Sequence, residues 1–355
     1  MLSALWFLLL QLTTLYASRG DLPDGLLLSG IPPSKNIDRL PLNNLTQRIL
    51  VALVTIPIIV LFSWWGGLWF FSMVMLISLL GLHEFYKLAA RKGASPQVVT
   101  GLVFGGLILC VFIWQKVKFG ILSFADQFGV ALPMPTMAQV YLILFLIFVP
   151  MIMLLELFRN RGSALLNVAT TLFGVCYVSL FLGSLIGVRE LFIPDDFPVW
   201  LHFEGHGIDY PAEVVQRVYG WGGATVISIF VSIWMCDTLA YSAGRLLGKH
   251  KLFERVSPNK TWEGGIAGYV GAVAAFLVAQ SFFLPYMTVG SALICGSIVG
   301  IFGQAGDLAE SLLKRDAGVK DSSALIPGHG GVLDRFDSLL FVSPLIFFYL
   351  DFIVF

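Results

Sequence analysis

Apolar segments of about the length of a membrane-spanning helix recur throughout this chain of 355 residues. An α-helix rises about 1.5 Å per residue, so about 20 apolar residues cross the roughly 30 Å of hydrocarbon in a bilayer. Backbone groups in lipid must be paired within the protein, which favours helices. We therefore predict an all-α, polytopic integral membrane protein with about nine transmembrane helices, at residues 49–64, 67–86, 98–114, 139–158, 164–187, 221–243, 263–284, 288–306 and 337–355.

Composition agrees with a membrane protein and does not indicate a nucleic-acid-binding, disulfide-rich or zinc-binding protein. Hydrophobic residues make up 57% of the chain and charged residues only 12%, with a mean hydropathy of +0.85. Basic and acidic residues are equal in number, 22 each, so net charge gives no reason to expect a nucleic-acid partner. The four cysteines lie in apolar segments without a Cys-x-x-Cys pair, which indicates neither a disulfide framework nor a zinc site.

The distribution of basic residues predicts how the chain is oriented. When successive loops are assigned to alternate sides, 18 of the 22 Lys and Arg residues fall on one side, and four fall on the other: Lys116, Lys118, Arg189 and Arg217. Cytoplasmic loops carry the excess of Lys and Arg. We expect the basic side to face the cytoplasm, and we expect the membrane to be the bacterial cytoplasmic membrane.

Three regions follow from this pattern. Residues 1–47 form an N-terminal extension with a short apolar stretch and a linker, residues 48–219 hold the N-terminal transmembrane helices, and residues 220–355 hold the C-terminal transmembrane region, where the candidate site residues discussed below lie. The apolar stretch is compatible with an interfacial extension, a tenth span or a cleaved signal peptide. A signal peptide would reverse every later span against the charge count.

Four acidic residues gather at the predicted cytoplasmic edge of the C-terminal third. Asp237 and Asp307 lie near the ends of two predicted spans, and Asp334 and Asp337 lie at the start of the last one. Acids at membrane depth are costly and usually serve a purpose. Together they suit a hard cation such as Mg²⁺, which prefers oxygen ligands. Ion pairing with nearby Lys or Arg is the alternative for each of them.

The same edge is rich in potential anion-binding groups. Helix N-termini attract anions, and two predicted helices begin just after "SPNKTWEGG" and "GHGGVLDR". His329 lies among glycines that allow close approach of the backbone to a ligand, although a plain turn explains them too. Basic residues supply the remaining positive charge, with ordinary cytoplasmic-loop charge as the alternative: Arg245, Lys249, Lys251, Lys260, Lys314, Arg315, Lys320 and Arg335.

Two other features are less informative. The segment "GRLLGKH" is one residue short of a Walker A loop, lacks the Ser or Thr after Lys, and is flanked by membrane helices. His83, Glu84 and Lys87, at the inner end of the second predicted span, are expected to pack or pair locally.

The segment "SLLKRDAGVKDSSALIPGHGGVLDRFDS" closely resembles the signature of the phosphatidate cytidylyltransferases, also called CDP-diacylglycerol synthases. "DTLAYSAGRLLGKHKL" and "SPNKTWEG" are similar to that family as well. The matching positions are Ser311, Lys314, Arg315, Lys320, Asp321, Pro327, His329, Gly330, Gly331, Asp334, Arg335 and Asp337.

This resemblance implies a Mg²⁺-dependent reaction of CTP with phosphatidate, giving CDP-diacylglycerol and pyrophosphate, in a homodimeric membrane enzyme. It leaves open whether a second, monovalent ion assists. The implied catalytic residues are Lys314, Arg315, Lys320, His329 and Arg335. The implied substrate-binding residues are Arg245, Lys249, Ser257, Lys260, Thr261, Ser311, Gly330 and Gly331. The implied metal ligands are Asp307 and Asp334, followed by Asp237 and Asp337.

Other functions remain open at this point. A CTP-dependent polyprenol or phytol kinase would need a similar nucleotide and metal face but would accept an alcohol. A transporter would place its acids near the bilayer midplane, in two related halves. An inactive homologue would keep the sequence pattern without the reaction.

Overall fold

A computed structural model of the chain describes residues 44–130, 132–192, 212–326 and 330–355. By its internal contacts the described part of the chain divides into two units between Ile56 and Pro57. The helices are α1 Asn44–Trp65, α2 Gly67–Arg91, α3 Val98–Val111, α4 Trp114–Asp126, α5 Met137–Arg159, α6 Ala164–Glu190, α7 Ala212–Leu247, α8 Trp262–Phe282, α9 Val289–Asp316 and α10 Leu333–Val354. The strands are β1 Lys251–Phe253 and β2 Ser257–Thr261.

The predicted membrane protein is confirmed. Within the described residues, seven helices are long and apolar enough to cross a membrane: α2 and α5 to α10. The pair α3 and α4, bent by 74°, passes the same test as one broken span. The apolar part of α1, Val51–Trp65, is shorter. Seven or eight spans are therefore supported by length and composition, and the full count of nine stays a prediction.

In the C-terminal region, two local features depart from the predicted helix pattern. An antiparallel β-hairpin, in which Lys251 pairs with Thr261 and Phe253 with Ser257, connects α7 to α8. In addition, α9 does not end near residue 306 but continues to Asp316, after a π-helical turn at Val299–Gly303. Hydropathy marks where a helix leaves the apolar region, whereas the helix itself continues because Glu310 and Lys314 on one face stay buried.

Glycines bring the C-terminal helices into close contact. A Cβ at Gly264 of α8 would lie 2.6 Å from the carbonyl oxygen of Ala240 in α7, and one at Gly268 would lie 2.9 Å from that of Cys236. Similarly, a Cβ at Gly306 of α9 would lie 2.7 Å from the carbonyl oxygen of Asp337 in α10. Small residues let membrane helices approach closely. Here the close approaches occur beside the predicted acidic residues.

A buried arginine joins α1, α6 and α7 at the other end of the bundle. Arg189 is fully buried and donates hydrogen bonds to the carbonyl oxygens of Ser63 at 2.7 Å, Trp64 at 3.0 Å and Tyr219 at 3.2 Å. The last carbonyls of a helix have no partner within the helix. Arg189 therefore satisfies the C-terminal end of α1.

Candidate active site

Three of the four predicted metal ligands come together from three different helices. Asp237 of α7 and Asp307 of α9 interact electrostatically, and Asp337 of α10 interacts with both. Asp237 precedes the end of α7 by ten residues, which is about 15 Å along the helix axis. The three carboxylates therefore lie short of these helix ends, in a recess that is open to solvent, since Asp237 is exposed and Asp307 and Asp337 are partly exposed.

A lysine from the hairpin approaches these carboxylates. Lys260, near the end of β2, places its Nζ 2.6 Å from Oδ2 of Asp307. The hydroxyl of Ser311 donates to Oδ1 of the same residue at 3.3 Å. About a third of the Asp307 side chain, 34%, remains exposed. Lys260 and Arg335 also interact electrostatically with Asp237. Acidic and basic side chains thus alternate around one recess.

Asp334 has different surroundings. Its Oδ1 accepts from Nζ of Lys314 at 2.6 Å, and its Oδ2 accepts from the backbone N–H groups of Ser322 at 2.9 Å and Gly331 at 2.7 Å. Lys314 also forms an ion pair with the fully buried Glu310, one helical turn earlier. Both oxygens of Asp334 are thus engaged by the chain itself, and its role as a metal ligand stays a prediction.

Glu84 of α2, which we expected to pack or pair locally, is buried, but its partners are not local in the sequence and belong to this region. Its Oε1 accepts from the hydroxyl of Ser323 at 2.6 Å and the N–H of Val332 at 3.0 Å. Its Oε2 accepts from the hydroxyl of Ser322 at 2.9 Å and the N–H of Leu333 at 2.8 Å. An acidic residue at the end of an apolar span is itself a signal of a special role. The sequence could not indicate which residues it contacts, because its partners lie more than 230 residues away along the chain.

The bonds to Glu84 occupy backbone groups that we expected to bind an anion at the start of α10. The N–H groups of Val332 and Leu333, which the sequence offered for phosphate oxygens, are occupied by Glu84. The two glycines before them are sterically required. Gly330 has a φ of +82°, and a Cβ at Gly331 would lie 2.0 Å from Oγ of Ser322. His329, Pro327 and Gly328 lie outside the described residues.

The hairpin residues occupy the neighbouring surface. Thr261 is buried, and its hydroxyl caps α8 by accepting from the N–H of Gly264 at 3.2 Å. Ser257, at the start of β2, is partly buried. The remaining predicted side chains are exposed: Arg245, Lys249, Arg315, Lys320 and Arg335, of which Arg335 also interacts electrostatically with Asp237.

The donor set fits a hard divalent cation. Among the residues that the structure describes, no three His, Cys, Asp or Glu side chains are arranged as a preformed metal centre. However, Asp237, Asp307 and Asp337 bring three carboxylates into one recess with mutual electrostatic interactions. Oxygen ligands of this kind, together with water and substrate phosphates, suit Mg²⁺.

Comparison with known proteins identifies the family. A model described as "Cytidylyltransferase family" matches residues 46–353. The chain belongs to the cytidylyltransferase family. A phosphatidate cytidylyltransferase of Synechocystis sp. is 31% identical over 307 residues, which cover 86% of this chain and 96% of that relative. Proteins of the same name from Staphylococcus epidermidis and Staphylococcus aureus are 48% identical over 121 and 122 residues, or 34% of this chain and 46% of each relative.

Proposed function

We propose that this cytidylyltransferase joins CTP to phosphatidate, giving CDP-diacylglycerol and pyrophosphate. The relative from Synechocystis sp. that aligns along almost its whole length is named for this activity. The observation in the structure that supports it best is the recess formed by Asp237, Asp307 and Asp337, with Lys260 contacting Asp307 and Lys314 contacting Asp334.

The reaction brings two anions together, so positive charge is its main requirement. A phosphate oxygen of phosphatidate attacks the α-phosphorus of CTP, a new P–O bond forms, and the bond to the departing pyrophosphate breaks. Because the attacking oxygen already carries negative charge, no strong general base is needed. In this proposal Lys260 and Lys314, which pair with Asp307 and Asp334, offset the repulsion and the charge on the leaving group.

The proposal includes dependence on Mg²⁺. Asp237, Asp307 and Asp337 are the residues that would hold the ion, because their carboxylates come from three helices and interact electrostatically with one another. When bound, Mg²⁺ would neutralise charge on the phosphates and on the pyrophosphate that leaves. A second, monovalent ion is left open.

The proposed site faces the cytoplasm of a bacterial cell, where CTP is available. This orientation is supported by the 18 Lys and Arg residues on the side that holds the recess, against four on the other. Phosphatidate would arrive laterally from the bilayer and meet the nucleotide at the membrane surface. A homodimer is part of the proposal because the family resemblance implies it.

Isotopic labelling of the two ends of the CTP triphosphate tests the reaction. Purified protein in detergent is supplied with Mg²⁺ and phosphatidate, and with CTP labelled either in the α- or in the γ-phosphate. We expect the α-label in the lipid product and the γ-label in pyrophosphate. A CTP-dependent lipid kinase would instead transfer the γ-label to an alcohol such as phytol and release CDP. Transfer of the γ-label to lipid, or no product from folded protein, contradicts the proposal.

A further inference from the structure

Glu84 connects α2 to the loop and helix that carry much of the candidate site. It is buried, with 3% of its surface exposed, and lies almost two turns before the end of α2. Its four donors come from both sides of residues 327–329: Ser322 and Ser323 before them, and Val332 and Leu333 after them. One carboxylate therefore bonds both to the loop at Ser322 and Ser323 and to the start of α10 at Val332 and Leu333.

The same four bonds fix the first turn of α10. Val332 and Leu333 precede Asp334 directly, and Asp337 follows one turn after Leu333. The first N–H groups of a helix lack partners within the helix, and a negative charge there is favoured by the helix dipole. Glu84 supplies both the acceptors and the charge. The contact with α2 therefore sets how far the first turn of α10 lies along the helix axis and how it is rotated about that axis.

Ser322 extends this connection from Glu84 to Asp334 in the first turn of α10. Its hydroxyl lies 2.9 Å from Oε2 of Glu84 and 3.0 Å from Oδ2 of Asp334, and its N–H donates to Asp334. Asp334 in turn accepts from Lys314 of α9. A continuous set of hydrogen bonds therefore runs from α2 through the loop to α9.

We propose that Glu84 is a positioning residue for nucleotidyl transfer, which holds the loop after α9 and the first turn of α10 so that Asp337 and Lys314 face the reacting phosphates. The inference rests on the proposed function. Glu84 does not contact the reacting atoms in this account. Its contribution is geometric, and small displacements of catalytic groups reduce turnover strongly.

Glu84→Gln is a specific test because glutamine cannot reproduce the bonds in either orientation. Each oxygen of Glu84 accepts one backbone N–H, from Val332 at Oε1 and from Leu333 at Oε2. A serine hydroxyl can turn and accept, but a backbone N–H only donates. Whichever way the amide is turned, its NH₂ group therefore points at a backbone donor.

Glu156→Gln is the matched control. Glu156 is also a buried carboxylate near a helix end, and it accepts from Gln97 at 2.9 Å, Arg159 at 2.9 Å and Asn167 at 2.6 Å. None of these partners belongs to the candidate site. Both substitutions remove a buried charge, so both are expected to lower the thermal unfolding temperature.

The readouts are turnover and amide hydrogen exchange, measured below both unfolding transitions. For Glu84→Gln we expect kcat to fall by about 10- to 100-fold, with faster exchange at Val332 and Leu333. For Glu156→Gln we expect kcat within about twofold of wild type and unchanged exchange at those two amides. Ser323→Ala, which removes one donor to Glu84, should lower kcat by about threefold or more if Glu84→Gln does not fold.

The outcomes separate this inference from the proposed function. Wild-type protein that forms no CDP-diacylglycerol refutes the function. An active wild type contradicts the inference in any of three cases: Glu84→Gln keeps normal kcat, its amides at 332 and 333 stay protected, or both glutamine variants lose activity in proportion to their lost stability. If Glu84→Gln does not fold, normal kcat in Ser323→Ala also contradicts it.

Discussion

Removing Lys314 should be among the most destabilising single changes at the site. Only 10% of its side chain is exposed, and its two partners, Glu310 and Asp334, are 0% and 4% exposed. Breaking a buried ion pair by removing one partner costs about 3–5 kcal/mol, because the other charge stays buried. Lys314→Met is therefore expected to lower the free energy of unfolding by about this amount, roughly two to four orders of magnitude in the folded-to-unfolded ratio.

The structure also indicates which partner accounts for most of the loss. Asp334 keeps its bonds from Ser322 and Gly331, whereas neither oxygen of Glu310 accepts a hydrogen bond of ordinary geometry among the described residues. Adding Glu310→Gln to Lys314→Met removes the unpaired charge and should restore a large part of the stability.

Unfolding by SDS in mixed micelles, followed by circular dichroism, measures these free energies. Lys320→Met is the control, because Lys320 is exposed, and it should change the free energy of unfolding by less than about 0.5 kcal/mol. A loss of under about 1 kcal/mol for Lys314→Met, or a double variant no more stable than the single one, would refute the reasoning.

Three further predictions concern packing. Gly331→Ala should lower the free energy of unfolding by about 1–3 kcal/mol and lower turnover, because the added Cβ overlaps neighbouring side-chain oxygens. The control Gly220→Ala, where the Cβ meets no atom within 4 Å, should leave the free energy of unfolding unchanged or raise it by up to about 1 kcal/mol. Equal effects of the two substitutions in unfolding assays would contradict this. Gly264→Ala should displace α8 from α7, and normal turnover would argue against the close contact. Arg189→Met should lower the unfolding temperature but leave the KM for CTP unchanged, and a raised KM would show that the two ends of the bundle are coupled.

The sequence predicted the membrane class because that property depends on segment length and composition. The spans from α2 to α10 agree with apolar runs readable directly from the chain. The end of α9 was not predictable in this way. Beyond residue 306 the helix is held by burial of Glu310 and Lys314 against other parts of the fold, and hydropathy does not report such contacts.

The sequence singled out the acidic residues of the candidate site but not their hydrogen-bond partners. Asp237, Asp307 and Asp337 were recognised as costly acids near one membrane edge, and the structure brings them together. Which carboxylate faces a lysine and which faces a backbone N–H depends on three-dimensional packing. For that reason the bonds of Asp334 and the long-range contacts of Glu84 could not be predicted from the sequence.

Two aspartates on the same helix offer the most direct test of the central claim, that the recessed carboxylates form the catalytic metal site. Asp337 lies in the first turns of α10, facing Asp237 and Asp307, and Asp351 lies exposed near its other end. CDP-diacylglycerol formation is measured against Mg²⁺ concentration for Asp337→Asn and Asp351→Asn. We expect Asp337→Asn to lose at least about 100-fold in kcat/KM or to need far more Mg²⁺, and Asp351→Asn to stay within about twofold of wild type. Equal activity and equal Mg²⁺ dependence in the two variants would contradict it.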